Sequence, residues 1–443
     1  MAWTAAQIFL RLSNWHHTVL NINKELRIIA VGCSVLFGLR QVPLSDNCER
    51  SLSEDNVAPS IRNWIHASSF AKWSRVRSFC YPLIVAGAIR VIGAVWLFHL
   101  LSSDGGFHTQ WMDANANLII GWTPIPVPSG SSDWLWLFNA YDSPHFPLIA
   151  MLGYAHPNYV YLPAYPALIL LTGLLTGNYW FGAFLVTQVF ALASIVMFQL
   201  LAEEYMEPRE ALCAALVMAT FPYVSVFTTL SYSESVFLFF TMGTWYFCRK
   251  GRFGVSSLFA GVASLTRIYG FAIVLPVLLQ IVKCKSYRKL FYLLIPVAFV
   301  SSWLLFCYLS TGDPLVSWTD QKFWVFDSKS SLGEYVLGEM LQGIKGTLVF
   351  NPAILVVVAL FAFLVLKTWQ VDRLLWIYAL GMFGALCFTT VNHLSLLRYF
   401  PFIFPIWLSL RVRNLLVVTV CVAFFVPLIL IFWLYNLSVV FVG

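Results

Sequence analysis

Long apolar runs alternate with short basic clusters along most of this chain. A membrane helix needs about 20 apolar residues, and runs of that order begin near residue 81. They predict membrane helices over residues 81–101, 179–202, 211–229, 232–248, 289–309, 347–366, 374–391, 397–410 and 414–440. The run 253–282 is too long for one crossing. It is interrupted by Arg267-Ile268-Tyr269-Gly270, which predicts two shorter helices with Arg267 at the turn between them.

The basic clusters orient these helices, because Lys and Arg are retained on the cytoplasmic side of a membrane. All five clusters are cytoplasmic if 253–282 enters and returns, and if the short run 161–177 enters the outer face without crossing. The clusters are Lys72/Arg75/Arg77, Arg249/Lys250/Arg252, Lys283/Lys285/Arg288/Lys289, Lys367/Arg373 and Arg411/Arg413. This arrangement predicts an all-α polytopic protein with about eleven crossings and two long outer loops, 102–178 and 311–346.

Composition excludes an ordinary soluble protein. Hydrophobic residues make up 60% of the 443 residues and charged residues only 11%, whereas a soluble domain has about a quarter charged residues. The net charge of +7 does not indicate nucleic-acid binding, since the basic residues sit between apolar runs. We predict a cytoplasmic or interfacial extension over residues 1–80 and a membrane domain over 81–443. The nine cysteines show neither zinc nor disulfide spacing.

Few ionisable residues fall within the apolar runs, and such residues are costly there, so they are candidates for function. They are Arg90, Glu234, Arg267 and Arg398. The predicted topology places the last three near the outer face, together with Asp142 of the first outer loop. A purely structural ion pair is the alternative for any one of them, but the group as a whole favours a site. Arg90 lies midway along the first helix and is interpreted as a structural anchor.

The segment Tyr141-Asp142-Ser143-Pro144-His145-Phe146, followed by Ile149-Ala150 and Gly153-Tyr154, resembles a motif of the PIG-V family. That family includes the mannosyltransferase that adds the second mannose of glycosylphosphatidylinositol (GPI) anchors, and prokaryotic relatives. Its motif continues with an aromatic-Pro-x-Tyr-Pro stretch, which is similar to Tyr161-Leu162-Pro163-Ala164-Tyr165-Pro166 here.

Four further motifs follow in the family's order, so the resemblance covers roughly residues 81–410. They are Ser231-Tyr232-Ser233-Glu234-Ser235, Leu265-Thr266-Arg267 with Gly270, Gly312-Asp313-Pro314-Leu315 with Gln321 and Trp324, and Leu397-Arg398-Tyr399 with Pro405. The resemblance implies a GT-C glycosyltransferase fold and a sugar donor carried on polyprenyl or dolichyl phosphate. It also implies a lipid-linked or glycan acceptor. A location in the endoplasmic reticulum or, in a prokaryote, the plasma membrane is expected, with the active site on the non-cytoplasmic face.

Sugar transfer from a lipid phosphate requires a base for the acceptor hydroxyl and positive charge for the departing phosphate. We predict Asp142 as the base and Arg267 and Arg398 as the phosphate contacts. Glu234 is expected to position either the sugar or an arginine. Secondary substrate contacts are expected from Tyr232, His145, Gln321 and Trp324. No cofactor is implied, although the residues leave open a divalent metal at Asp142 and Glu234.

Three alternatives to this function remain at the level of sequence. A protein O-mannosyltransferase or another GT-C transferase shares the donor chemistry and differs only in motif detail. A transporter or flippase of lipid-linked sugars would distribute polar residues through the membrane midplane. A non-catalytic membrane scaffold would not need acids and arginines at one level.

Overall fold

The computed structural model describes residues 78–100, 133–139, 142–321, 352–389 and 397–437. Most of the predicted extension 1–80 lies outside these residues, as do large parts of both predicted outer loops. Within the described ranges the chain is helical and contains no strand. This confirms the prediction of an all-α protein built from apolar helices.

The helices are numbered in chain order. The α-helices are α1 Ser78–Leu100, α2 His145–Leu152, α3 Ala164–Thr176, α4 Tyr179–Ala202, α5 Pro208–Thr220, α6 Pro222–Phe227, α7 Glu234–Arg249, α8 Phe253–Thr266, α9 Val274–Lys283, α10 Leu294–Thr311, α11 Val316–Thr319, α12 Pro352–Lys367, α13 Arg373–Thr389, α14 Pro405–Leu408 and α15 Leu415–Leu437. Short 3₁₀ helices cover Asp133–Phe138, Asn158–Val160, Ile268–Ile273, Tyr287–Leu293, Thr368–Gln370 and Phe400–Phe402.

Four of the described helices are long and apolar enough to cross a membrane by themselves. They span Ser78–Leu100, Tyr179–Ala202, Tyr287–Thr311 and Leu415–Leu434. The remaining apolar segments are shorter or interrupted. The chain is therefore a multi-pass membrane protein, and the total of about eleven crossings stays a prediction.

The predicted break in the run 253–282 is confirmed. Helix α8 ends at Thr266, and Arg267 has extended backbone dihedrals (φ −150°, ψ 137°) before the next 3₁₀ helix begins. Two runs that were predicted as continuous helices are interrupted. Phe221 is extended before Pro222 and separates α5 from α6. The run 397–410 is divided into short helical pieces, because Pro401 and Pro405 cannot donate helical hydrogen bonds.

Small residues allow the helices to approach closely. Where α3 meets α4, a Cβ atom on Gly182 would lie 3.0 Å from the backbone nitrogen of Gly173. Membrane helices associate through such small residues, since lipid tails remove most of the hydrophobic driving force between helices. The α3–α4 pair thereby forms a compact wall beside α7.

Arg90 links α1 to the segment that precedes the site. Its Nε atom donates to the hydroxyl of Thr229 (2.9 Å), and Nη2 donates to the hydroxyl of Thr228 (2.8 Å). Both hydroxyls in turn donate to backbone carbonyls of α6, at Ser225 and Val224. This geometry agrees with the interpretation of Arg90 as a structural anchor.

The C-terminal end of α7 carries a second polar network, about 22 Å along the helix from Glu234. The hydroxyl of Tyr205 accepts from Trp245 Nε1 (2.7 Å) and donates to Asp372 (3.0 Å). Lys250 contacts Glu204, and Arg249 stacks over Tyr205 with its guanidinium carbon 5.3 Å from the ring centre. These contacts hold the end of α4, the end of α7 and the start of α13 together.

Gly270 tests how tightly the segment after Arg267 is packed. A Cβ atom at Gly270 would lie 2.3 Å from the carbonyl oxygen of Ala263, which belongs to the backbone of α8 and cannot rotate away. We expect Gly270→Ala to destabilise the protein by about 1–3 kcal/mol, because overpacking forces the backbone to shift. Thermal unfolding of the purified protein in detergent measures this loss.

Gly87→Ala is the matched control, since a Cβ there meets no atom within 4 Å. Alanine is favoured over glycine inside a helix by roughly 1 kcal/mol, so this variant should unfold at or above the wild-type temperature. Equal unfolding temperatures for the two variants would contradict the close approach of Gly270 to α8.

Candidate active site

Four breaks in helical structure bring the predicted charged residues together. Asp142 precedes α2, and Glu234 is the first residue of α7. Arg267 is the extended residue after α8, and Arg398 lies in the short helical segment 397–399, directly before the 3₁₀ helix Phe400–Phe402. Side chains at the ends and interruptions of helices can point toward a common centre, because the chain changes direction there.

Glu234 occupies the centre of the group and is buried. Its Oε1 atom accepts from Arg398 Nε (2.7 Å) and lies 2.7 Å from Arg267 Nη2. One carboxylate oxygen thus binds two guanidinium groups from two other parts of the chain. The second oxygen, Oε2, is buried and has no hydrogen-bond partner within the described part of the chain.

Asp142 lies at the open side of the group. Its side chain is 35% exposed, against 2% for Arg398, and its Oδ2 atom is 3.4 Å from Arg398 Nη1. The side chain does not cap α2, where the cap residue is Pro144 and no side-chain bond is made. Helix capping, the structural alternative for this aspartate, therefore does not account for it.

Aromatic rings enclose the two arginines. The guanidinium carbon of Arg398 lies 4.3 Å from the ring centre of Tyr232, 4.5 Å from that of Phe227 and 5.3 Å from that of Tyr399. Arg267 lies 5.1 Å from the ring centre of Tyr399. Cations over aromatic faces are stabilised, more so when water is excluded. Tyr399 thus supports both arginines.

Two tyrosine hydroxyl groups contact Asp142. The backbone N–H of Asp142 donates to the hydroxyl of Tyr232 (3.3 Å), and the hydroxyl of Tyr161 donates to Asp142 Oδ1 (3.4 Å). Burial and the neighbouring Asp142 carboxylate raise the pKa of Tyr161, so this hydroxyl remains protonated as a donor. The ring of Tyr161 stacks on His145, with the ring centres 5.0 Å apart.

Hydrogen bonds from neighbouring residues hold the backbone around Tyr161 in place. Buried Asp320 bonds to His156 Nδ1 (2.8 Å) and accepts from the backbone N–H of Tyr159 (3.2 Å). Tyr154 donates through its hydroxyl to the carbonyl oxygen of Tyr161 (2.8 Å). The segment that follows α10 is thereby tied to the turn that positions Tyr161.

The structure separates the secondary residues predicted from sequence into two groups. Tyr232 and His145 belong to the site, through the contacts with Asp142, Arg398 and Tyr161 given above. Gln321 is exposed and follows Asp320 in the chain. Trp324 lies outside the described residues.

Sequence reasoning missed four contributors to the site. Tyr161, Ser233 and Tyr399 stand inside the motifs that carry the family resemblance, so they could have been chosen from those motifs. Ser233 accepts from Arg267 Nε (3.2 Å). Nothing in the sequence predicted that Phe227 contacts Arg398, since it is one apolar residue among many.

A small cleft opens beside Glu234 and Arg267. It is also lined by Tyr269, Met382 and Tyr399, and its free space of about 10 Å³ is close to that needed by one water molecule. Among the described residues no group of three or more His, Cys, Asp or Glu side chains could hold a metal ion. The two carboxylates named for a metal, Asp142 and Glu234, both contact Arg398 instead.

Comparison with known proteins yields similarity at the level of structure only. No family model matches the chain, and no curated protein matches it. The fold is similar to the crystal structure of the Archaeoglobus fulgidus oligosaccharyltransferase in complex with Zn and sulfate, at 15% identity and a TM-score of 0.35. The alignment covers 80% of this chain and 52% of that one, so this chain spans about half the length of that protein. A similarity of this size does not assign an activity.

The different surroundings of the two arginines predict different costs of removal. Arg398→Met should destabilise the protein by roughly 3–5 kcal/mol, because it removes a buried partner of a buried charge. Arg267→Met should cost clearly less, since Arg267 is 17% exposed and Arg398 still pairs with Glu234. Thermal unfolding in detergent compares the variants. The double variant Arg398→Met/Glu234→Gln should recover part of the loss, and equal unfolding temperatures for the two single variants would contradict this geometry.

Proposed function

We propose that this protein transfers a sugar, most specifically mannose, from a polyprenyl or dolichyl phosphate to a hydroxyl group of a lipid-linked or glycan acceptor. The observation that carries the proposal is a partly exposed carboxylate, Asp142, that lies 3.4 Å from Arg398, while Arg398 and Arg267 share one buried glutamate. A base and a phosphate-binding cation are the two groups that this reaction needs. The choice of mannose and of the GPI pathway comes from the motif resemblance, and the non-cytoplasmic face comes from the distribution of Lys and Arg along the chain.

The reaction is a single displacement. Asp142 accepts the proton of the acceptor hydroxyl as its oxygen attacks the anomeric carbon of the donor sugar. The bond between that carbon and the phosphate oxygen breaks, and the lipid phosphate leaves with the bonding electron pair. The anomeric configuration inverts, because attack and departure occur on opposite faces of the sugar. No general acid is required, since a phosphate is a good leaving group.

The two arginines have separate roles in this proposal. Arg267 is the more exposed, with two of its nitrogens held by Glu234 and Ser233, and it contacts the donor phosphate. Arg398 is buried between Glu234 and Asp142 and is enclosed by three rings. It therefore acts as a positioning residue for the base, and Glu234 positions both arginines.

The direct experiment incubates the purified protein with radiolabelled dolichyl-phosphate mannose and candidate lipid acceptors, and follows label into the acceptor. Transfer of label supports the proposal. A protein that instead moved the intact donor across vesicle membranes, without turnover, would be a transporter of lipid-linked sugars.

If Asp142 is the base, Asp142→Asn should lose most of its sugar-transfer activity and keep its fold. Asparagine is nearly the same shape but cannot accept the proton, so the rate of sugar transfer should fall by about two orders of magnitude or more. Thermal stability should change little, because the carboxylate is partly exposed and makes only long contacts of 3.4 Å.

Asp372→Asn is the matched control for this variant. Asp372 accepts from the backbone N–H of Leu374 (2.8 Å) at the start of α13, where asparagine serves about as well. Its transfer rate should remain near the wild-type value. Near-normal transfer by Asp142→Asn would remove Asp142 from the mechanism.

The phosphate role of Arg267 predicts that lysine cannot replace it. Lysine keeps the charge but lacks the planar fork that holds Glu234, Ser233 and a phosphate together. Arg267→Lys and Arg267→Ala should both reduce kcat/KM for the donor by roughly tenfold or more. If both variants used the donor at the normal rate, Arg267 would be structural only.

A further inference from the structure

An apolar groove runs between the segment 271–278, which includes the start of α9, and α13. Five of its lining residues come from the segment 271–278, and three come from α13. They are Phe271, Ala272, Val274, Leu275, Leu278, Ile377, Tyr378 and Gly381. The Tyr378 hydroxyl is the one polar side-chain atom in this set. The free volume of about 330 Å³ lies within the range of small-ligand sites.

The groove and the cleft beside Glu234 and Arg267 are formed by the same two elements of the chain. The 3₁₀ helix Ile268–Ile273 contributes Tyr269 to the cleft and Phe271 to the groove. On α13, Met382 and Leu386 line the cleft, and Tyr378 lies one turn before Met382 on the same helix face. The 3₁₀ helix Ile268–Ile273 and α13 therefore line both the cleft at the charged site and the groove.

The direction of the groove follows from the basic ends of its two helices. Helix α9 begins just after the Ile268–Ile273 turn and ends at Lys283, whereas α13 begins at Arg373 and leads toward the cleft. From Leu386 to Ile377 the groove and cleft extend about 13 Å along α13. They thus run from the charged group toward the helix ends that carry Lys283 and Arg373, which is the direction in which the apolar chain of a lipid enters a bilayer.

The groove is open along its length. Phe271 is 38% exposed and Leu275 is 47% exposed. Gly381 leaves a gap in the α13 wall, and a Cβ atom placed there would meet no atom within 4 Å. No Asp, Glu, Lys or Arg is among its lining residues, so the groove suits a hydrocarbon chain and is unsuited to a sugar or a phosphate.

We infer that the groove between α9 and α13 binds the polyprenyl chain of the lipid-phosphate sugar donor. This inference rests on the proposed function, because it requires the donor phosphate at Arg267. A phosphate at Arg267 lies beside the cleft. An isoprenoid chain attached to that phosphate would pass along α13 into the groove. Burial of its methylene and methyl groups then contributes to donor binding at about 0.8 kcal/mol per buried CH₂.

Gly381 offers a test that leaves the charged site untouched. Gly381→Ala and Gly381→Leu fill the groove in steps, and the Cβ atom that both introduce meets no atom within 4 Å. Transfer is measured with two radiolabelled donors of the same headgroup, dolichyl-phosphate mannose and citronellyl-phosphate mannose. For Gly381→Leu we expect KM for the dolichyl donor to rise about tenfold, with kcat and the KM for the citronellyl donor nearly unchanged. Gly381→Ala should fall between this variant and the wild type.

Gly384→Leu is the matched control. Gly384 lies one turn further along α13, a Cβ there also meets no atom within 4 Å, and the residue does not line the groove. It should use both donors as the wild type does. Equal effects of Gly381→Leu on both donors, or no effect on either, would overturn the inference while leaving the proposed function intact.

A binding measurement separates failure of this inference from failure of the proposed function. A polyprenyl phosphate that carries a photoreactive diazirine on its chain, and no sugar, is crosslinked to the wild-type protein. Label in residues 271–278 or 377–381, which competes with dolichyl phosphate and is lost in Gly381→Leu, supports the inference even without transfer. Label that a diazirine phospholipid gives equally, and that dolichyl phosphate does not displace, would assign the groove to bulk membrane lipid.

Discussion

The buried carboxylate of Glu234 is the interaction on which the site depends. A charge in such surroundings is tolerated only when it is paired and hydrogen-bonded, and here one of its oxygens takes two guanidinium groups. Those groups come from residues 33 and 164 positions further along the chain. Satisfying one buried acid therefore fixes the end of α8 and the short helical segment 397–399 against the start of α7.

Helix breaks make this arrangement achievable. A continuous helix satisfies its own backbone and directs its side chains around its axis, whereas the extended residue Arg267 and the proline-interrupted segment after Arg398 allow both guanidinium groups to reach one point. Prolines and glycines at these places thus serve the site as well as the fold. Gly270 illustrates this, since only a residue without a Cβ allows the chain after Arg267 to lie against α8.

The sequence was a good guide wherever one physical property decided the outcome. Hydropathy predicted Tyr179–Ala202 with its observed bounds, and the cost of charges in apolar runs selected Glu234, Arg267 and Arg398. The sequence did not predict contacts that depend on how the helices pack together. Phe227 supports Arg398 through its ring, yet nothing distinguishes it from other phenylalanines in the chain. Likewise, the division of labour between the two arginines depends on burial, which the motifs do not encode.

The charge balance of the site bears on how the proposed reaction is driven. Asp142 and Glu234 offset Arg267 and Arg398, so the group is formally neutral before the donor binds. A donor phosphodiester carries one negative charge, whereas the departing phosphate monoester carries up to about two. Arg267 is already engaged by Glu234. In the proposed reaction its contact with the donor is therefore modest at first and strengthens as charge grows on the leaving phosphate. An interaction that strengthens during the reaction lowers the barrier, whereas uniform binding of donor and transition state would not.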